Sequence, residues 1–498
     1  MSTESIGQEP YRIPAQSRWA NAWKVPAAFG AFGVLVSALG WVMDPERFAF
    51  SWLFAFFYVA TVALGSLFYV IAQHVTGADW GTSVRRTAEF LMLGVPLLAV
   101  LFLPNLANMH FLWGEWIDAS AGHGHHDDEH HGSDGGHDHS SDHTHGGKPH
   151  GSRAPLGVED ASKTAGQAHD APSSLGALVG GIAHAQTAHL GGGSASVDSH
   201  AVHEDGHSDG EHHTVYEQAL HHEILQKKTA YLNLPFWLIR AAAYFFIWTF
   251  ISLLYFRWST QQDRSRDLGL TLKMKRFAPA SGAAFALTLT FAAFDWAMAL
   301  EPAWYSTIFG VYIFAGCVVS MFAAVILLAL GLVRAGYLGR AVNVEHFHDL
   351  GKMMFGFTCF WAYIGFSQFL LIWYAGIPEE ATYYHLRWDS QGWKLVSIFL
   401  MAGHFIFPFI FLVSRVPKRN LSTLAFACVW MLFMHAVDMY WFILPNYGAL
   451  DLHWMDVGAL LAALGIYLAY VFYRMGQFPL VPLGDPRLNR SIHHVQTT

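Results

Sequence analysis

The chain has 498 residues and a net charge of −8 at pH 7, and is 53% hydrophobic but only 13% charged. Soluble proteins carry about 25% charged residues, so a cytosolic enzyme is excluded. A nucleic-acid binder is excluded as well, because no basic stripe is present to neutralise phosphates. The three cysteines, Cys317, Cys359 and Cys428, sit inside apolar runs. They offer no disulfide framework, no Cys-x-x-Cys-His haem attachment and no iron–sulfur ligand set.

Residues 1–24 are polar, contain Pro10 and Pro14, and lack the apolar core of a cleavable signal peptide. Residues 25–104 hold three apolar stretches, at 25–43, 49–73 and 84–104, each long enough for the ~20 residues that cross a bilayer. A polar insertion follows over 105–230. Residues 231–475 hold seven more stretches, at 233–257, 277–299, 305–333, 350–376, 393–414, 420–443 and 454–475, and 476–498 form a polar tail. The expected fold is an all-α integral membrane protein with ten transmembrane helices.

Lysine and arginine divide the connecting segments into two sets. One side carries Arg12, Arg18 and Lys24, then Arg85 and Arg86, the basic run from Arg257 to Arg276, Arg334, Arg340 and Lys352, Arg415, Lys418 and Arg419, and the basic tail. The short loops of the other side carry Arg47, Arg387 and Lys394. Both termini are therefore expected in the cytoplasm, with the insertion on the outer face.

The insertion is rich in His, Asp, Gly and Ser from Gly122 onward. It has too little apolar surface to offset the entropy of ordering and reads as disordered. Its first histidines, His123, His125, His126, His130 and His131, are candidate ligands for a divalent metal, because neutral imidazole is a good borderline donor. The alternative is a solvated spacer, since no fixed tetrahedral spacing is visible.

Ionisable groups within spans cost ~2.5–3.5 kcal/mol each on insertion scales, so each needs a reason. They are Arg240, Asp295, His404, His435 and Asp438, together with the polar Gln368, with Glu89 near the start of the third span and His110, Glu115 and Asp118 after its outer end. His435 and Asp438 lie i, i+3 on one helix face. Two readings stand. In one, Arg240 neutralises Asp295 or Asp438 and the set is structural. In the other, carboxylates and imidazoles on neighbouring helices form a proton relay, extended by hydroxyls such as Tyr363. One histidine each from two spans, His404 and His435, is fewer than membrane cytochromes present, and no haem is expected.

Several runs carry a family resemblance. They are Asp295–Gly310, which contains Glu301-Pro302-Ala303-Trp304; Phe360–Gln368; Trp373-Tyr374-Ala375-Gly376-Ile377-Pro378-Glu379-Glu380; Gly403-His404-Phe405-Ile406-Phe407-Pro408; and Met434-His435-Ala436-Val437-Asp438-Met439-Tyr440-Trp441. Together they resemble the NrfD-like superfamily of polysulfide-reductase membrane subunits, and most of all its ActF-type members in alternative complex III, a quinol:cytochrome c oxidoreductase of the bacterial inner membrane. The His-rich insertion departs from that pattern. The resemblance implies two four-helix bundles, spans 2–5 and 6–9, flanked by spans 1 and 10. It implies partners: a sister NrfD-like membrane subunit, an iron–sulfur subunit and multihaem cytochrome c subunits. Haems and clusters would sit on those partners and none on this chain. The chain would support the complex and offer Asp295, His404, His435 and Asp438 to a proton path. Arg240, Gln368 and Tyr363 are weaker candidates for the same path.

Two rival readings remain. The chain itself binds quinone or menaquinone, with His110, Glu115, Asp295 and Glu301 near the outer interface supplying an acid/base pair. Or it is a metal transporter with a His-rich loop, although the intramembrane His–carboxylate spacing of i, i+3 on one helix suits a tight metal shell poorly.

Overall fold

The computed structural model describes residues 11–122 and 223–495. The metal-ligand candidates His123, His125, His126, His130 and His131, and the disorder expected around them, lie outside the described residues. Among the described residues every regular element is helical. Ten helices are long and apolar enough to cross a bilayer: α1 (Lys24–Met43), α2 (Pro45–Thr76), α3 (Thr82–Ala107), α4 (Leu234–Ser265), α5 (Leu268–Trp296), α6 (Phe309–Arg334), α7 (Val344–Ala375), α8 (Gln391–Val413), α9 (Leu421–Ile443) and α10 (Trp454–Met475). They fit a multi-pass membrane protein.

Several of these helices run past the ends set by apolar residues alone, because their caps lie in polar sequence. Asp44 accepts the Arg47 amide at 2.9 Å and Pro45 opens α2. Asn233 accepts the Phe236 amide at 3.1 Å to start α4. Asn343 caps α7 and Asn420 caps α9 in the same way. Gly77 and Gly376 end α2 and α7 at φ +64° and +62°, the left-handed region that favours glycine. Helix α3 is broken near Pro96 and Pro104, whose rings cannot continue the ladder. The polar insertion begins and ends in helix, Met109–Gly122 before it and residues 223–228 after it. The first of these buries Trp113 and Trp116.

Helices α2 and α6 form the centre. Their most apolar stretches are 94% and 78% buried, against 22% for α1 and 28% for each of α7 and α8. A helix apolar on every face can only be stable in that position or in lipid. Helix α2 packs on α3, α5, α6 and α10; α6 packs on α5, α7 and α9; α4 joins α3 and α5; α8 joins α7 and α9; and α1 lies along α10.

The α2–α6 contact is a backbone contact. A Cβ on Gly65 would lie 2.0 Å from the Cys317 carbonyl oxygen. Without a hydrophobic drive between helices in lipid, such close approach is what van der Waals association requires. Gly65→Ala should therefore force α2 from α6, costing at least the ~1–3 kcal/mol of an overpacked core. A thermal melt in detergent that matches wild type would refute this.

The tail is a strap. Leu480 donates its amide to the Tyr11 carbonyl at 2.8 Å, so the two ends of the described chain meet on one face. Ser491 then binds the Trp80 carbonyl, and His494 Nε2 lies 2.8 Å from Asp349 Oδ2 on α7.

Candidate functional site

The expected site residues separate into three places. The first centres on Asp438 of α9, whose side chain is fully buried with His435 one turn earlier. The Asp438 carboxylate accepts the Tyr312 hydroxyl of α6 at 2.6 Å and the Trp361 indole N–H of α7 at 3.1 Å. Both donors are neutral, and no cation pairs with Asp438 among the described residues. His435 Nε2 lies 2.7 Å from Thr61 Oγ1 of α2. The Thr61 hydroxyl also lies within hydrogen-bond distance of the Phe57 and Tyr58 carbonyls, at 2.9 and 3.0 Å. Nδ1 of His435 has no protein partner.

His404 sits in a π-helical turn, Met401–Ile406, within α8. Such turns appear frequently at functional sites because they add a residue without ending the helix. Its ring stacks on Trp361 with centroids 4.1 Å apart, and neither ring nitrogen has a protein partner. Gly316 of α6 lets the cluster close. A Cβ there would lie 3.3 Å from His435 Cε1 and 3.9 Å from Asp438 Oδ2. Helices α6, α7, α8 and α9, together with α2, thus bring Tyr312, Trp361, His404, His435, Asp438 and Thr61 into one buried cluster.

The second place holds Asp295 on α5. Arg240 of α4 grips it with two hydrogen bonds, Nε to Oδ2 at 2.8 Å and NH2 to Oδ1 at 2.9 Å. The Tyr244 hydroxyl adds a third at 2.7 Å. The same guanidinium donates to the Tyr231 carbonyl at 2.9 Å and lies 3.9 Å from that tyrosine's ring centre. Of the two partners open to Arg240, Asp295 is the one it takes. The partners of Asp295 and those of Asp438 have no residue in common, so Asp295 stands apart from the His435–Asp438 cluster with which sequence grouped it.

The third place is the loop side around Glu301. Its carboxylate takes Arg387 NH1 at 2.9 Å, and Arg387 also donates to the Tyr383 and Phe442 carbonyls. His110 and Glu115 lie on the exposed face of the Met109–Gly122 helix. Asp295 and Glu301 are each committed to an arginine, so neither is left as an unengaged base for a quinol. Gln368 bridges Ser306 Oγ at 3.1 Å and the Tyr384 hydroxyl at 3.3 Å, which holds the loop before α6 to the helix Pro378–Trp388. Tyr363 is 64% exposed on the surface of α7 and does not extend the buried cluster. Among the described residues no group of three or more His, Cys, Asp or Glu side chains is placed to hold a metal ion.

Sequence reasoning missed two ionic networks because their members lie at helix ends, where charges read as loop. Arg47 and Asp456 pair at 2.6 Å, with Ser51 on the other carboxylate oxygen at 2.7 Å. Arg85 and Arg86 are helical and buried rather than loop charges. They bind Glu89, Asp263 of α4 and Asp485 of the tail. An arginine pair followed by Glu89 at i+4 and i+3 was the available signal.

Compared with models of known protein families and with curated proteins, the chain matches none.

Proposed function

We propose that the chain is a membrane subunit of a respiratory quinol:electron-acceptor oxidoreductase of the NrfD-like, alternative complex III kind. It carries no redox centre of its own, and its Asp438–His435–His404 cluster belongs to a proton path. One observation carries the reading: Asp438 is fully buried and held only by the neutral donors Tyr312 and Trp361. Gain or loss of a proton there strands no partner cation, whereas at Asp295 it would strand Arg240. Two imidazoles with unpartnered ring nitrogens, within the same helix group, are suited to receive and pass that proton. The helix neighbours support two four-helix groups, α2–α5 and α6–α9, with α1 and α10 beside them. In this reading both termini lie in the cytoplasm of a bacterial inner membrane. The sister membrane subunit, the iron–sulfur subunit and the multihaem cytochrome c partners bring the haems, the clusters and the quinol site.

The test is purification of the native assembly through a tag on this chain. A multihaem cytochrome and a large iron–sulfur protein should co-purify with quinol oxidase activity toward an external acceptor. Recovery of this chain alone, from membranes with that activity intact elsewhere, would refute the assignment. After separation from its partners the chain should show no haem absorbance. A b-type spectrum that stays with it and is lost in His404→Ala would show that it holds a haem.

A further inference from the structure

At the face where the chain ends meet, an open groove of about 350 Å³ lies between the start of α1 and the end of α10, lined by Arg18, Trp19, Ala22, Val25, Pro26 and Phe472. That volume falls within the ~300–1,000 Å³ of small-molecule sites. The chain builds the groove by a local device. Ser17 caps a 3₁₀ turn, Arg18–Asn21, immediately before α1, which sets Arg18 and Trp19 at the start of the first apolar span. Deeper along the same wall come Val25, which is 61% exposed, and Pro26.

The groove has one polar end and one apolar end. Arg18 is exposed and its side chain makes no ion pair or hydrogen bond with another described residue. The buried arginines of this protein behave differently: Arg47, Arg85, Arg86, Arg240 and Arg387 are each taken by a carboxylate. Among the described residues no acidic side chain lines the groove. Lys24, lying 6.0 Å from the Trp23 ring centre, adds a second positive charge beside the groove. Trp19 and Trp23 stand at the start of the first apolar span, the position at which indole rings bridge headgroups and acyl chains in a bilayer.

We propose that this groove seats one anionic phospholipid of the surrounding leaflet, with its phosphate on Arg18 and an acyl chain along Val25, Pro26 and Phe472. Complementarity selects an anionic headgroup. Arg18 in the groove and Lys24 next to Val25 of its wall are present to receive negative charge, while among the described residues no carboxylate lines the groove to receive the ammonium of a zwitterionic lipid. The lipid would fill the open seam between α1 and α10 at this face.

The experiment is native mass spectrometry of the full chain in detergent, offered equal dioleoyl phosphatidylglycerol and dioleoyl phosphatidylcholine. One phosphatidylglycerol should be retained in preference to phosphatidylcholine. Arg18→Gln should lower that retention about fivefold, the effect of one basic residue at an anionic surface, and Arg18→Lys should keep most of it. Ala22→Trp, which fills the groove and leaves both charges, should lower retention as well. Arg264→Gln, an exposed basic residue at the end of α4, should leave it unchanged. Three results would each overturn the proposal: equal retention of the two lipids, loss in Arg264→Gln equal to that in Arg18→Gln, or wild-type retention in Ala22→Trp. Displacement by millimolar inorganic phosphate would overturn it too, because the site would then hold the headgroup anion without the chain.

Discussion

Asp438→Asn should leave the protein assembled and slow its proton chemistry, whereas Asp295→Asn should destabilise it. The two residues are a buried carboxylate each, in the same membrane, and differ in their partners. An amide at 438 keeps both contacts: its oxygen accepts from Trp361, and its nitrogen donates to the Tyr312 hydroxyl oxygen. The exchange of one hydrogen-bond set for another costs about 1 kcal/mol. The amide cannot take up a proton at neutral pH, so a step that runs through Asp438 should slow by about a hundredfold or more. At 295 the amide leaves the Arg240 guanidinium, whose side chain is 10% exposed, without its anion. Breaking one half of such a pair costs ~3–5 kcal/mol. Proton release per quinol oxidised, measured in vesicles carrying the whole complex, reads the first effect, and thermal stability in detergent reads the second. A normal proton ratio and turnover in Asp438→Asn would leave the cluster as packing and sink its role in proton transfer.

Asp485→Asn should loosen the tail and lower the stability of the whole helix assembly. Three arginines, Arg85, Arg86 and Arg487, face three carboxylates, Glu89, Asp263 and Asp485, in one network. The network is neutral only with all six. Asp485 Oδ2 takes Arg85 NH1 at 2.7 Å and Arg487 NH2 at 2.9 Å, and its side chain is fully buried. Loss of its charge leaves one buried cation in excess, at ~3–5 kcal/mol. Limited proteolysis should then cut the tail, which in wild type is pinned at Tyr11, Trp80 and Asp349. The pH dependence has a defined sign. Burial would raise the Asp485 carboxyl, but Arg85 and Arg487 outweigh it and hold it below the usual carboxylate range. A carboxylate depressed in the folded state contributes stability above its unfolded value of about 3.9 and loses it as pH falls toward the folded one. The clasp should therefore hold unchanged from neutral pH down to about 4 and fail below it. A tail that becomes protease-sensitive near pH 6 would contradict the ion-pair account.

How much of this was legible in the sequence depends on the range of the interaction. Ten spans follow from local hydropathy, because a bilayer imposes a length and an apolarity on each segment separately. The shared face of His435 and Asp438 follows from the 3.6-residue turn, which is also local. The caps at Asp44, Asn233, Asn343 and Asn420 are local again, and those at Asp44 and Asn343 explain why α2 and α7 start in polar sequence ahead of their apolar stretches.

Pairing between helices was not legible. Sequence left Arg240 open to Asp295 or Asp438, because both lie on spans whose order around the bundle no local pattern reveals. The packing of α4 on α5 decided for Asp295, and that choice left Asp438 with neutral donors alone. Tyr363 shows the same limit: a hydroxyl in an apolar span looks like a relay member until the rotation of α7 turns it outward. Arg85 and Arg86 read as loop charges because arginine is too costly to bury alone. Only the fold supplies Asp263 from another helix and Asp485 from a tail nearly 400 positions away, which together make their burial affordable. The sequence by itself determined ten apolar spans, which fit a helical membrane protein, and the titratable residues within them. The tertiary structure decided which of their charges are compensated, because compensation is a contact between helices and hydropathy is a property of each helix alone.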